Sequence, residues 1–208
     1  KQELVLGVGG YRAIRALNFR PTVCHMNEGH SAFLALERIR YAIDAYGLTM
    51  QEAREMVAAG NVFTTHTPVP AGNDRFPPAY IDTYLQYYLQ KLNITKNELM
   101  ALGREVVTDV NEYFCMTVLA LKLSNASNGV SRLHGSVSRK MWKRIWPDVP
   151  ETELPISHIT NGIHTGFWVA PELALLFKRY VFGFEATAAI RAGKAGAEEI
   201  QVDNRGYI

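Results

Sequence analysis

Three times in this chain an apolar, β-branched run ends in a cluster of His, Asn, Glu and Thr. The first cluster is Thr22-Val23-Cys24-His25-Met26-Asn27-Glu28-Gly29-His30, and the second is Val62-Phe63-Thr64-Thr65-His66-Thr67-Pro68. The third is Ile156-Ser157-His158-Ile159-Thr160-Asn161-Gly162-Ile163-His164-Thr165, and together the three hold five of the six histidines. These are groups that hold polar ligands and exchange protons. In open α/β sheets, ligands bind at the carboxyl ends of the strands. The repeated pattern therefore predicts one polar pocket built from three strand ends.

Several chemistries compete for these residues. His25-x-x-Glu28-x-His30 invites a metal reading, but a zinc protease needs H-E-x-x-H on a helix so that both histidines share a face. Here Asn27-Glu28-Gly29 interrupts at a strand end, so these residues read as pocket-lining groups at a helix start. Glu28 and Ser31 also suit a helix N-terminus electrostatically. Gly7-x-Gly9-Gly10 before a helix resembles a phosphate-cradling loop. Arg12 and Ala13 stand where the last glycine of G-x-G-x-x-G is needed, and no acidic residue follows at the required distance. A tight turn allowing close packing is the better reading. No Ser-His-Asp set, no G-x-S-x-G and no paired-carboxylate motif is present. Taken alone, His66 between Thr65 and Thr67 reads as a satisfied structural group, and Asn161-Gly162 as an ordinary turn.

The elements that must position the clusters follow from periodicity and punctuation. Leu4 to Val8 is a short apolar element closed by the glycines, and Tyr11 to Leu17 a helix. Pro21 to Met26 reads as a buried strand. A helix from Ser31 to Tyr46 presents Phe33, Leu36, Ile39, Ile43 and Tyr46 on one face and ends at Gly47. Thr49 with Glu52, and Thr95 with Glu98, are capping boxes that open further helices. Asn61 to Thr65 is a buried strand, and Pro68 to Pro78 a proline-rich loop. Tyr80 to Leu92 and Cys115 to Leu123 read as helices, Asn125 to Gly129 as a break, and Val130 to Trp146 as mostly helical. Pro155 to Thr160 is a strand, and Pro171 opens a helix to about Tyr180. This alternation predicts an α/β domain: a parallel sheet with helices on both faces.

Length and charge narrow the classes. The 208 residues suffice for one α/β domain with a sizeable core. The formal net charge of +2, with both signs interspersed, gives no reason to expect nucleic acid or an anionic membrane. No stretch approaches the roughly 18 apolar residues of a membrane span, and no signal peptide is visible. Cys24 and Cys115 lie in apolar contexts without C-x-x-C spacing. They read as buried free thiols of a reducing compartment, which predicts a cytoplasmic protein. Lys1-Gln2-Glu3 leads straight into Leu4-Val5-Leu6, an element already under way, so the chain reads as a piece of a longer protein.

Taken together, the clusters resemble a known family. His25-Met26-Asn27-Glu28-Gly29-His30-Ser31-Ala32-Phe33 is similar to the H-x-N-E-G-H-x-A-F block of the short bacterial branch of α-glucan (glycogen) phosphorylases. Phe63-Thr64-Thr65-His66-Thr67-Pro68-Val69-Pro70-Ala71-Gly72 resembles that family's T-x-H-T-x-x-P block. Asn128-Gly129-Val130-Ser131-Arg132-Leu133-His134 resembles its N-G-V-x-x-L-H block, and Thr160-Asn161-Gly162-Ile163 its T-N-G-[IV] block. The resemblance covers residues 1 to about 180. Residues 181–208 form a divergent tail that does not match.

The resemblance implies a Rossmann-like sheet from the later part of the N-terminal domain of a glycosyltransferase-B architecture, in which two such domains face a cleft. It implies reversible, retaining phosphorolysis of an α-1,4-glucan by inorganic phosphate to glucose 1-phosphate, with pyridoxal phosphate as cofactor. His66 matches the histidine that lines the glucosyl site, its ring on the sugar 6-hydroxyl and its backbone carbonyl facing the developing oxocarbenium. Asn161 matches an asparagine on the same hydroxyl. Asn27, Glu28 and His30 match pocket-lining positions, and Asn128 and His134 a helix region beside them. The family's cofactor lysine and phosphate-binding basic residues lie in a C-terminal domain that no segment here matches, so no cofactor residue is assigned. The chain is then expected to supply half of an active site and to be inactive alone. Two rival readings are a nucleotide-sugar glycosyltransferase of the same architecture and a non-catalytic carbohydrate-binding module.

Overall fold

The computed structural model describes residues 1–180, so the expected divergent tail at 181–208 lies outside the described residues. Lys1–Asn161 is one compact unit; Gly162 onward belongs to a second. In the first unit the elements run α1 (Gln2–Leu4), α2 (Gly10–Ala16), β1 (Cys24–Asn27), α3 (Phe33–Tyr46), α4 (Met50–Ala59) and β2 (Asn61–Thr65). There follow β3 (Arg75–Phe76), α5 (Pro78–Tyr84), α6 (Gln86–Leu92), α7 (Lys96–Leu102) and β4 (Phe114–Cys115). The unit closes with α8 (Met116–Lys122), β5 (Ala126–Gly129), α9 (Arg132–Trp142) and β6 (Ser157–His158). The described part of the second unit holds α10 (Thr165–Trp168) and α11 (Pro171–Tyr180), the latter opened by Pro171 as expected.

Four strands form a parallel sheet in the order β1-β2-β5-β6, with helices in each connection. The register pairs Asn27 with Thr64, Thr64 with Asn128, and Asn128 with Ser157. Residues in register on neighbouring parallel strands share a face, so these four form one row across the sheet. The core contains Met26 and Phe63 from the strands, Leu36 and Ile39 from α3, Met116 and Leu119 from α8, and Trp142 from α9, all at most 1% exposed. Full burial of such side chains stabilises by about 1.5–3 kcal/mol each.

The local signals hold where the physics is local. Both capping boxes form: the Thr49 and Thr95 side chains accept from the amides of Glu52 and Glu98, whose carboxylates accept from the threonine amides. Gly47 ends α3 in the left-handed region at φ 66°, where glycine has no steric penalty.

Five expectations change. The glycines at 7–10 do not make a turn. Val5–Gly9 is a π-helical stretch that joins α1 to α2, so no phosphate-cradling loop exists there. The close-packing part of that reading survives, because a Cβ on Gly7 would lie 2.7 Å from the Leu34 amide nitrogen. The break expected at Asn125–Gly129 is in fact β5, an interior strand. The strand expected from Pro155 to Thr160 shrinks to Ser157–His158 at the sheet edge. The helix expected from Tyr80 to Leu92 divides at Leu85, whose φ of −116° and ψ of 8° leave the helical region. Ile81, Leu85, Tyr88 and Leu92 are all buried, at the spacing that puts them on one helical face. Tyr46, placed by periodicity on the core face of α3, is 63% exposed at the helix end.

Candidate functional site

β1 ends on a strained residue. Glu28 continues the ladder by donating its amide to the Thr64 carbonyl at 2.9 Å, but its φ is +64° with ψ 171°. A non-glycine residue held there costs of order 1–3 kcal/mol and persists only where its surroundings hold it. What holds Glu28 is its own carboxylate, which accepts the His66 amide and, at 3.0 Å, the Thr67 hydroxyl. The turn after β2 is therefore fastened to the end of β1. Gly29 follows in close contact with α8, where an added Cβ would lie 3.0 Å from the Thr117 amide nitrogen. His30 turns outward and pairs with Asp74 at 3.0 Å.

A hydrogen-bonded chain crosses three strands. The Thr64 hydroxyl donates to Asn128 Oδ1 at 2.9 Å and meets His25 Nε2 at 2.7 Å. A hydroxyl has one hydrogen, so Thr64 accepts from His25 and the histidine carries its proton on Nε2. Asn128 Nδ2 reaches the Gly129 carbonyl at 3.2 Å, and the residue is buried. Asn128 is therefore committed within the sheet. Thr64 opens the T-x-H-T-x-x-P block, but sequence alone assigns no role to its hydroxyl, which joins His25 to Asn128.

The β5 and β6 ends are joined beyond the assigned strands. Ile159 donates its amide to the Gly129 carbonyl at 3.0 Å, and Asn161 donates its amide to the Val130 carbonyl at 3.1 Å. The Ser131 side chain caps α9 by accepting the His134 amide at 3.1 Å. The His134 ring is buried, and its Nδ1 accepts the Val130 amide at 3.2 Å.

The strand order thus brings Asn27, Glu28, His66, Asn128 and Asn161 to one end of the sheet. The side chains of Asn27, His66 and Asn161 are exposed and make no hydrogen bond among the described residues. Among the described residues they are uncommitted donors and acceptors on a fixed backbone, which suits them to a polyhydroxylated ligand. The members of the possible metal trio diverge, His25 to Thr64, Glu28 to the His66 amide and His30 to Asp74. Among the described residues no group of three or more His, Cys, Asp or Glu is placed to hold a metal ion. His164 belongs to the second unit, where its Nδ1 accepts the Phe167 amide at 3.1 Å.

A cavity of about 880 Å³ lies elsewhere, beside Ser124 and Pro155, which precede β5 and β6. Lys122 borders it. Burial, reinforced by the charge of Arg54, pushes its pKa down to about 8, and its Nζ donates to the Ala101 and Arg104 carbonyls at 2.8 and 2.6 Å. This lysine closes the C-terminus of α7. No lysine stands at the strand ends around residues 25–30, 64–70, 128–134 or 157–161. Cys24 and Cys115 are free and buried, and burial pushes both thiols above the usual range. No helix among the described residues is long and apolar enough to cross a membrane.

A family model described as carbohydrate phosphorylase matches residues 12–182. The chain is 43% identical over 181 residues to the maltodextrin phosphorylase of Thermococcus litoralis, covering 87% of this chain and 21% of that protein. It is 42% identical over 183 residues to the glycogen phosphorylase of Mycobacterium tuberculosis, covering 83% of this chain and 21% of that protein. Against the glycogen phosphorylase of Aquifex aeolicus the identity is 31% over 181 residues, covering 87% and 25%. The chain spans about a fifth to a quarter of the length of these curated relatives.

Proposed function

The chain belongs to the carbohydrate phosphorylase family, and from that premise we propose that it supplies the glucosyl-binding half of an α-1,4-glucan phosphorylase. The longer protein moves a glucosyl unit from a glucan end to inorganic phosphate, giving glucose 1-phosphate with retention. The observation that carries this reading is that Asn27, His66 and Asn161 lie at one end of a parallel sheet, in a chain of this family, with side chains that make no hydrogen bond among the described residues.

In this reading the His66 ring and the Asn161 amide hold the sugar 6-hydroxyl, with Asn27 beside them. The His66 carbonyl faces the anomeric carbon, where positive charge develops. A fixed dipole aimed at developing charge stabilises a transition state without reorganising. Glu28 serves by fixing the His66 peptide, since its carboxylate accepts the His66 amide. His30 lines the approach with Asp74.

Pyridoxal phosphate, where bound, supplies a phosphate group that exchanges a proton with the substrate phosphate. The strand ends of this chain do not fit its attachment, because they carry no lysine, and Lys122 is committed to two carbonyls away from that edge. The cofactor belongs to the part of the longer protein outside this chain, in a second domain that completes a glycosyltransferase-B cleft. The two buried, unpaired cysteines fit a cytoplasmic enzyme.

The test uses the longer protein. His66→Ala and Asn161→Ala are each expected to lower kcat/KM for maltooligosaccharide phosphorolysis at least about tenfold, the equivalent of one lost hydrogen bond. Unchanged kinetics in both variants would remove these roles. The isolated chain, incubated with pyridoxal phosphate and reduced with borohydride, is expected to show no stable adduct, and a stoichiometric adduct would place the cofactor in this chain.

A further inference from the structure

His134 occupies an unusual version of a motif that the chain uses twice in ordinary form. At the starts of α4 and α7 the third helical residue is a glutamate, Glu52 or Glu98. Its carboxylate turns back to the cap amide, Thr49 at 2.9 Å or Thr95 at 2.6 Å, in exposed surroundings. At the start of α9 the third residue is His134. Ser131 makes the expected bond to the His134 amide, but the side chain turns back one residue further, to the Val130 amide at 3.2 Å. A carboxylate here would be a buried charge, which is costly without a partner. A neutral imidazole supplies the same acceptor at no such cost.

The residue so gripped leads to the ligand edge. The Val130 amide is held by His134 Nδ1, and the Val130 carbonyl accepts the Asn161 amide at 3.1 Å. Val130 thus has one side of its backbone fixed by the ring and the other fixing Asn161. The ring has little room to move. A Cβ on Gly129 would lie 2.9 Å from His134 Nδ1, and one on Gly135 would lie 2.9 Å from the Ser157 carbonyl. The first turn of α9 is therefore wedged between β5 and β6. Because Nδ1 accepts, the ring's hydrogen is on Nε2, a buried atom with no partner among the described residues. Within this unit, His134 is held in place by its Nδ1 bond.

We propose that His134 is a positioning residue for Asn161, acting through the backbone of Val130 and not by touching the sugar. This rests on the reading that Asn161 holds the sugar 6-hydroxyl. The experiment uses the full-length protein in the direction of glucan synthesis and compares kcat/KM for glucose 1-phosphate and its 6-deoxy analogue. That ratio is independent of the fraction of folded enzyme, and a merely structural role would not move it. His134→Ala and His134→Gln, which lose the acceptor at the Nδ1 position, are expected to lower the ratio about five- to tenfold. His134→Asn, whose Oδ1 lies where Nδ1 does, is expected to keep it within about twofold. Asn161→Ala is the reference and should lower the ratio at least as far. If Asn161→Ala lowers the ratio while His134→Ala and His134→Gln leave it intact, or if Gln rescues and Asn does not, the positioning role is overturned. If Asn161→Ala itself leaves the ratio intact, the underlying assignment of Asn161 fails, and the positioning role fails with it.

Discussion

Glu37 and Glu28 are both carboxylates that tie distant segments together, yet they are built for opposite ends. Glu37 is 1% exposed, and both its oxygens are engaged. Arg12 donates to them at 2.8 and 3.1 Å, Arg40 at 2.7 Å, and the Tyr88 hydroxyl completes the set, joining α2, α3 and α6. The carboxylate and the Tyr88 phenol are buried and satisfied, with only the Arg12 guanidinium half exposed. Glu28 is half-buried on a strained backbone, and one of its oxygens holds the turn after β2. The side chain it helps to place, His66, is left exposed and uncommitted. A closed polar centre stabilises the fold. One that fixes the backbone but leaves side chains free has groups to offer a ligand.

The comparison breaks first at Glu37. Glu37→Ala removes the carboxylate from the half-exposed Arg12 guanidinium, from Arg40, which keeps Asp44, and from a buried phenol, and is expected to cost about 3 kcal/mol in urea unfolding, the low end for a broken buried pair. A loss below about 1 kcal/mol would remove the structural role. Burial pushes the Glu37 carboxyl up, but the hydrogen bonds from Arg40, Arg12 and Tyr88 outweigh it and hold the carboxyl below the usual range. Its contribution is therefore fully present above the ordinary carboxylate pKa and lost as pH falls through the lowered folded value. An acid titration of stability should show that loss in the parent and lack it in Glu37→Gln.

Thr64 lies between the two extremes, since it is buried but wires the ligand edge. Thr64→Val leaves His25 and Asn128 without their shared partner and is expected to cost about 1–3 kcal/mol, with Thr64→Ser recovering most of it. Equal losses in both variants would point to the methyl group and not to the hydroxyl. The smallest stability effect is expected at Glu28. Glu28→Gly removes the staple but also the strain, and the two should cancel to within about 1 kcal/mol. Phosphorolysis by the longer protein should nevertheless fall, because the His66 peptide is no longer held. Full activity in Glu28→Gly would erase the distinction between the two carboxylates.

Much of this was legible because it is local. The Thr49/Glu52 and Thr95/Glu98 spacings specify their own helix starts, and Gly47 its own helix end. Asn61 to Thr65 was readable as a strand because its residues favour extended backbone. β5 was not, because Ala126-Ser127-Asn128-Gly129 has weak strand preferences and is extended only through ladders to β2 and β6, residues far away in sequence. That same strand carries Asn128, so the element hardest to read is one that the site needs. Small polar residues suit a site strand and make a poor strand signal. The glycines at 7–10 misled for a related reason, since glycine signals a turn locally and close packing against Leu34 only in three dimensions.

The amino-acid sequence by itself determined the helix boundaries that caps impose, the alternation that makes a parallel sheet, and the residue types gathered at its strand ends. Each depends on neighbours a few positions away. The tertiary structure alone decided which of those residues are committed and which are free. His25, Asn128 and His134 are bound into the sheet and the first turn of α9, Glu28 grips the His66 amide, and the side chains of His66 and Asn161 are open among the described residues. That division depends on hydrogen bonds between segments up to 64 residues apart, whose partners are fixed only when strand order and register bring them within about 3 Å.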